Sequence, residues 1–113
     1  KGFPGAFSSF VFKTIGNEGI IRLIDDFGNT SAYFKSVIAL YFKPLDELFT
    51  FEGIIRGKVS SKIRGNKGFG FDPIFIPDKY SNKTLAELSI EQKNSISHRG
   101  MAIKKLIKFL KEY

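Results

Sequence analysis

Lys67-Gly68-Phe69-Gly70-Phe71-Asp72-Pro73 sets two phenyl rings and a carboxylate in a segment whose glycines allow tight backbone turns. A ring face beside a pair of acceptor oxygens suits a purine. Stacking on an aromatic side chain contributes about 1–3 kcal/mol per base and tolerates any base, so selectivity requires contacts to the base edge. Residues Lys67 to Phe71 also match the aromatic strand pattern of RNA-recognition domains. In such a strand Phe69 and Phe71 face solvent, which turns Asp72 into the core and leaves Pro73 without a ladder hydrogen bond. The pattern breaks where a sheet needs it. The plain alternative makes both Phe core residues of a Gly-Pro turn.

The second candidate is Lys93-Asn94-Ser95-Ile96-Ser97-His98-Arg99-Gly100. Ser97 is placed to cap a helix, so His98 and Arg99 fall in its first turn, where unpaired N–H groups and the positive dipole end face outward. A His there is biased towards its neutral form, donating through one nitrogen and accepting through the other. Arg99 offers a planar fork of donors suited to carbonyl oxygens or phosphate. Taken singly, a Lys is ordinarily solvated, a His ordinarily structural, and a Ser cap needs no ligand; their joint placement carries the functional reading.

Other chemistry is thinly supplied. The absence of Cys removes disulfides, thiol nucleophiles and Cys-ligated zinc, and a single His leaves no multi-His metal site. Asp25-Asp26 and Asp46-Glu47 are sequence neighbours at helix ends and turns, where carboxylates are normally solvated. Eighteen Lys+Arg against 11 Asp+Glu give a net charge of +7, which attracts polyanions without choosing among them. The apolar runs are far shorter than a bilayer-spanning segment. With 113 residues, 42% of them hydrophobic, the chain is expected to be a single domain over residues 1–113. It opens at Lys1, its only Met is Met101, and Lys-Gly-Phe-Pro-Gly reads as a connecting turn, so an N-terminal part is expected to be missing.

Helices and strands must position these residues. Phe7, Phe10, Val11 and Ile15 predict a short helix capped by Ser8 or Ser9 and stopped by Gly16. Ile20, Ile21, Leu23, Ile24 and Phe27 predict a second, started by Asn17 and Glu18 and ended by Gly28. Ala32 to Phe42 reads as a strand covered on both faces. Leu48 to Ile63 reads as its antiparallel partner, with bulges or bends at Gly53 and Gly57. A loop over 65–70 precedes a short strand near Ile74-Phe75-Ile76. Thr84-Leu85-Ala86-Glu87 and Ser89-Ile90-Glu91-Gln92 are capping boxes. In the last helix, Ile103, Leu106, Ile107 and Leu110 mark the packed face.

Gly2-Phe3-Pro4-Gly5, Gly68-Phe69-Gly70-Phe71-Asp72-Pro73-Ile74-Phe75, Thr84-Leu85-Ala86-Glu87-Leu88 and Lys93 to Gly100 together, in order and spacing, resemble the successive signatures of the inosine/xanthosine triphosphate pyrophosphatases. The resemblance implies an α/β fold, the C-terminal part of a two-lobed architecture with a mixed, largely antiparallel sheet and flanking helices. It also implies hydrolysis of ITP, dITP and XTP to the monophosphate and pyrophosphate with Mg²⁺, by cytoplasmic homodimers with no membrane or stable nucleic-acid partner. Carried over, Phe69 stacks on the base, Gly70 and Phe71 shape the loop, and Asp72 contacts the base edge. Lys93, Ser97, His98 and Arg99 complete the pocket that reads the oxygen at purine position 6. The family's Ser/Thr-x-Asn-x-x-Lys motif, its metal-binding Glu and the catalytic Asp expected upstream of Lys1 are absent from the chain, so most Mg²⁺ ligands are expected outside it. Phe71 stands where the family often carries Tyr or Trp. A non-catalytic nucleotide-binding module and an RNA-binding domain are the alternatives.

Overall fold

The structure, a computed structural model, describes residues 3–27 and 30–113, with Ala6 and Phe27 described by their backbone alone. Gly2 of the opening turn, Gly28 as helix terminator and the Phe27 side chain lie outside the described residues. Two compact units share the chain: Lys1–Ala32 with Gly57–Leu88, and Tyr33–Arg56 with Ser89–Tyr113.

In the first unit, a 3-10 turn at Gly5–Phe7 runs directly into α1 (Ser8–Thr14). Ser8 is therefore helical and caps nothing, correcting the expected start; Phe7 holds the cap position. Gly16, at φ +66°, ends α1 as expected, because an L side chain rarely adopts that conformation. It also begins α2 (Gly16–Phe27), so Asn17 lies within the helix rather than at its cap. Val11, Ile20 and Ile74 form the buried centre, with Ile21, Ile24, Val59 and Phe71 packed against it.

The strands are β1 (Ser31–Phe42), β2 (Glu47–Val59) and β3 (Phe75–Pro77), in sheet order β1–β2–β3. β1 and β2 are joined only through Lys43–Leu45 and a left-handed Asp46, a link too short for a parallel crossover, so they form an antiparallel hairpin. β3 pairs antiparallel to β2 with Val59 opposite Phe75 and Gly57 opposite Pro77. The largely antiparallel α/β class is thus as expected. β2 ends at Val59, four residues short of the predicted Ile63: the Ser60 amide still donates to Ile74 O at 2.7 Å, but Ile74 belongs to the 3-10 turn Asp72–Ile74, where the partner strand stops.

Exposure in β1 alternates strictly, which corrects the reading of a strand covered on both faces: Tyr33, Val37 and Tyr41 are exposed. Gly53 and Gly57 lie inside a continuous strand and mark close backbone approaches rather than bulges. A Cβ on Gly53 would collide with the His98 carbonyl oxygen, and one on Gly57 with that of Ile76.

In the second unit the hairpin carries α3 (Ile90–Ser95) and α4 (His98–Glu112). The capping box at Ser89 is present, as is the one at Thr84 in the first unit. Ser89 N–H donates to Gln92 Oε1 at 3.0 Å and Gln92 N–H returns a bond to Ser89 Oγ at 3.1 Å. The packed stripe of α4 is Ala102, Leu106 and Phe109, while Ile103, Ile107 and Leu110 are exposed, a correction to the predicted face. Phe109 decides it: its ring lies 5.5 Å from Phe42, 4.6 Å from Phe49 and 5.6 Å from Phe51, in an aromatic cluster that no rotation of the helix could keep.

Candidate base-recognition site

Gly68 and Gly70 adopt φ of +78° and +58°, so the chain doubles back on itself over 68–71 before a 3-10 turn at Asp72–Ile74. Asp72 is 6% exposed, and its Oδ2 accepts the Phe69 N–H at 3.1 Å. Any Cβ at position 68 would strike that carboxylate, which is why glycine stands there. The bond holds up the Phe69 backbone while its ring stays 64% exposed. Phe71 turns the other way: it joins the buried cluster and meets Phe12 edge-on, centroids 5.5 Å apart and planes at 86°. The plain core reading therefore holds for Phe71 and fails for Phe69. An RNA-recognition strand, which needs both rings on one solvent face, is not formed.

Asn17 from α2 donates through Nδ2 to the Gly70 carbonyl at 3.2 Å, tying the loop to the helix. Its place after Gly16 suggests a helix cap; nothing local in the sequence signals a bond across 53 residues. A second clamp lies behind the loop. Thr84, fully buried, donates its hydroxyl to Arg64 O at 2.7 Å, and Thr84 N–H donates to Glu87 Oε1 at 2.9 Å. Arg64 pairs with Glu87 at 3.1 Å. The Thr84 amide and, after it, the Arg64 charge hold the Glu87 carboxyl below the usual carboxylate range.

In the second unit Ser97 caps α4 as predicted, accepting Gly100 N–H at 3.1 Å, so His98 and Arg99 do occupy the first turn. Lys93 lies in the last turn of α3, and Arg99 is exposed. The imidazole of His98 lies parallel to Phe34, centroids 5.5 Å apart and planes within 12°, and its Nδ1 is 2.5 Å from Ser36 Oγ. Neither Phe34 nor Ser36 was a sequence candidate. The available signal is a hydroxyl at an inward position of β1, among Phe34, Ile38 and Leu40.

The eight candidates thus form two groups: Phe69, Gly70, Phe71 and Asp72 in one unit, Lys93, Ser97, His98 and Arg99 in the other. A separate open cleft of about 270 Å³, lined by Ile21, Ile24, Lys58, Lys62 and Arg64 among others, contains none of them. Its Arg64 is already committed to Glu87 and to Asn82 O at 2.7 Å. Among the described residues no three His, Cys, Asp or Glu gather as metal ligands, and Asp72 and Glu87 are engaged by backbone amides. These residues do not fit a Mg²⁺ site. No described helix is long and apolar enough to cross a membrane.

The first unit thus carries an exposed ring on a pinned glycine loop, the second a basic, capped helix start, and the fold is a largely antiparallel α/β one. The model of the Ham1 family matches residues 1–109, and the chain belongs to that family. It is 50% identical over 112 residues to a Hyperthermus butylicus protein named dITP/XTP pyrophosphatase, covering 99% of this chain and 57% of that protein. A Pyrococcus horikoshii protein of the same name is 50% identical over 111 residues, covering 98% and 58%. The structure of a HAM1 protein from Coxiella burnetii superposes with a TM-score of 0.84 at 31% identity, over 98% of this chain and 60% of that one. The chain spans a little over half the length of the curated relatives it matches.

Proposed function

We propose that this chain supplies the base-recognition part of an enzyme that hydrolyses the non-canonical purine triphosphates ITP, dITP and XTP to the monophosphate and pyrophosphate. The observation that carries the proposal is the exposed Phe69 ring on a loop anchored by the buried Asp72 carboxylate. The two relatives' names support the substrate class. Phe69 stacks on the purine, Gly70 and Phe71 shape its loop, and Asp72 contacts the base edge. Lys93, His98 and Arg99, the last two on the helix start that Ser97 caps, donate to the oxygen at position 6. Adenine carries an amino donor there, so a buried donor would face a donor; each unpaired group costs about 1–3 kcal/mol, and two give discrimination on the order of 10³. The reading includes Mg²⁺ held by carboxylates outside this chain, a homodimer, and a cytoplasmic location.

Titrating ITP, XTP and ATP against the chain tests the recognition. Phe69→Ala is expected to weaken all three by a similar factor, about 5- to 150-fold, since stacking does not read the edge. His98→Ala is expected to narrow the gap between ITP and ATP. A wild-type chain that binds ATP as tightly as ITP refutes the reading.

A further inference from the structure

We infer that Asn17 is a positioning residue of the Phe69 loop, standing in the first turn of α2 at a cost in stability because its amide fixes the stacking ring. The inference rests on the base-recognition reading above and adds a residue outside every motif that led to it.

The direction of its bond follows from the partner. A backbone carbonyl only accepts, so the 3.2 Å contact to Gly70 O comes from the Asn17 Nδ2 amide. The remaining polar atom is then Oδ1, which is buried and meets no hydrogen-bond partner among the described residues. An Asn at a helix start ordinarily uses that oxygen to accept a backbone N–H; here it is idle. An unsatisfied buried acceptor destabilises the fold, and Asn forms helix less readily than Leu or Ala. Asn17 thus breaks two local rules, and the hydrogen bond it makes in return is the tie to the loop, a pattern expected of a functional position.

The place of the tie gives it a role. Gly70, at φ +58°, lies between the exposed Phe69 and the buried Phe71, and the bond to its carbonyl orients the peptide through which the chain passes from one to the other. The bonds between Phe69 and Asp72, 3.1 Å from Phe69 N–H to Oδ2 and 3.2 Å from Asp72 N–H to Phe69 O, stay within the loop and move with it. Phe71 anchors the far end through Phe12. Asn17 ties the segment before Phe71 to a helix, and all of these residues belong to the first unit. Once Asn17 is lost, residues 68–70 are freed to swing about Phe71 and carry the Phe69 ring with them. Stacking does not read the base edge, so every purine is affected alike.

The chain holds no Trp, so Phe69→Trp places a single indole at the stacking position. In that background Asn17→Leu, which removes the donor and the idle acceptor together, is expected to melt at or above the parent temperature. It is also expected to lower the fluorescence anisotropy of the indole and to weaken ITP and ATP alike about three- to tenfold, the worth of one hydrogen bond. Asn17→Asp, which keeps the shape but turns an acceptor towards the Gly70 carbonyl, is expected to give the same loosening and the same loss of affinity. Anisotropy and affinity unchanged in both variants overturn the role of Asn17. So does an affinity loss in Asn17→Leu that comes with a lower melting temperature, the signature of a merely structural bond. Indole emission that neither ITP nor ATP alters in the parent, with anisotropy still falling on loss of Asn17, refutes the base-recognition reading while the loop anchor stands, so the two failures are told apart.

Discussion

Replacing Gly53 with Ala should disturb α4 from the strand side. The added Cβ would overlap the His98 carbonyl oxygen and lie 2.8 Å from its carbonyl carbon and 2.9 Å from Ala102 N, where real Cβ contacts essentially never fall below 3.0 Å. All three atoms are helix backbone, so no side chain can swing away; strand or helix must move. Overpacking of this kind costs about 1–3 kcal/mol, occasionally more, against which Ala regains about 0.5–1 kcal/mol over Gly in a strand. A net loss of about 1–2 kcal/mol should lower the melting temperature by about 4–8 °C. Gly100→Ala is the internal comparison. Its nearest neighbours are Ser97 Cβ at 3.4 Å and Oγ at 3.5 Å, ordinary contact, and Ala over Gly in a helix contributes up to about 1 kcal/mol, so the melting point should hold or rise. The same displacement that relieves Gly53→Ala would pull His98 Nδ1 from its 2.5 Å partner, so the ring nitrogens should shift with the loss of stability. A Gly53→Ala chain that melts with the wild type and keeps its His98 signals refutes the argument that this glycine admits the helix.

Glu87 should confer acid sensitivity. Its folded pKa is depressed by the Thr84 amide and then by Arg64, so its stabilisation is complete above the unfolded value of about 4.3 and drains away as pH falls through the lower folded value. Glu87→Gln should therefore be less stable than wild type at neutral pH, with the gap closing in acid; a gap that stays constant from neutral pH down to about 3 contradicts this. Phe109→Ala should cost about 3 kcal/mol in urea unfolding and Ile107→Ala, at a position 45% exposed, less than about 1 kcal/mol; equal losses would mean the α4 face is misassigned. The 113-residue chain should release no pyrophosphate from ITP with Mg²⁺ present, because its described carboxylates do not gather; robust release by the purified chain would reverse that.

Local chemistry accounts for what the sequence alone determined. Ser97 before a helical period, the boxes at Thr84 and Ser89, and the positive-φ glycines 16, 65, 68 and 70 each satisfy a backbone requirement within a few residues, and each sits where the residue types place it. The apolar and β-branched runs likewise yielded both long strands, although not the one-sided exposure of β1. What a side chain meets across the fold was not legible. The apolar period of α4 is compatible with two neighbouring stripes, and only the aromatic cluster of Phe42, Phe49 and Phe51 selects Phe109 over Ile107. Phe69 and Phe71 are the same residue type two positions apart, yet Phe12 and the buried cluster take one and leave the other exposed. Ser36 and Asn17 became legible only through partners 62 and 53 residues away. Periodicity and capping are short-range effects carried by the chain itself, whereas ring packing and hydrogen-bond partnership depend on which surfaces the fold brings together.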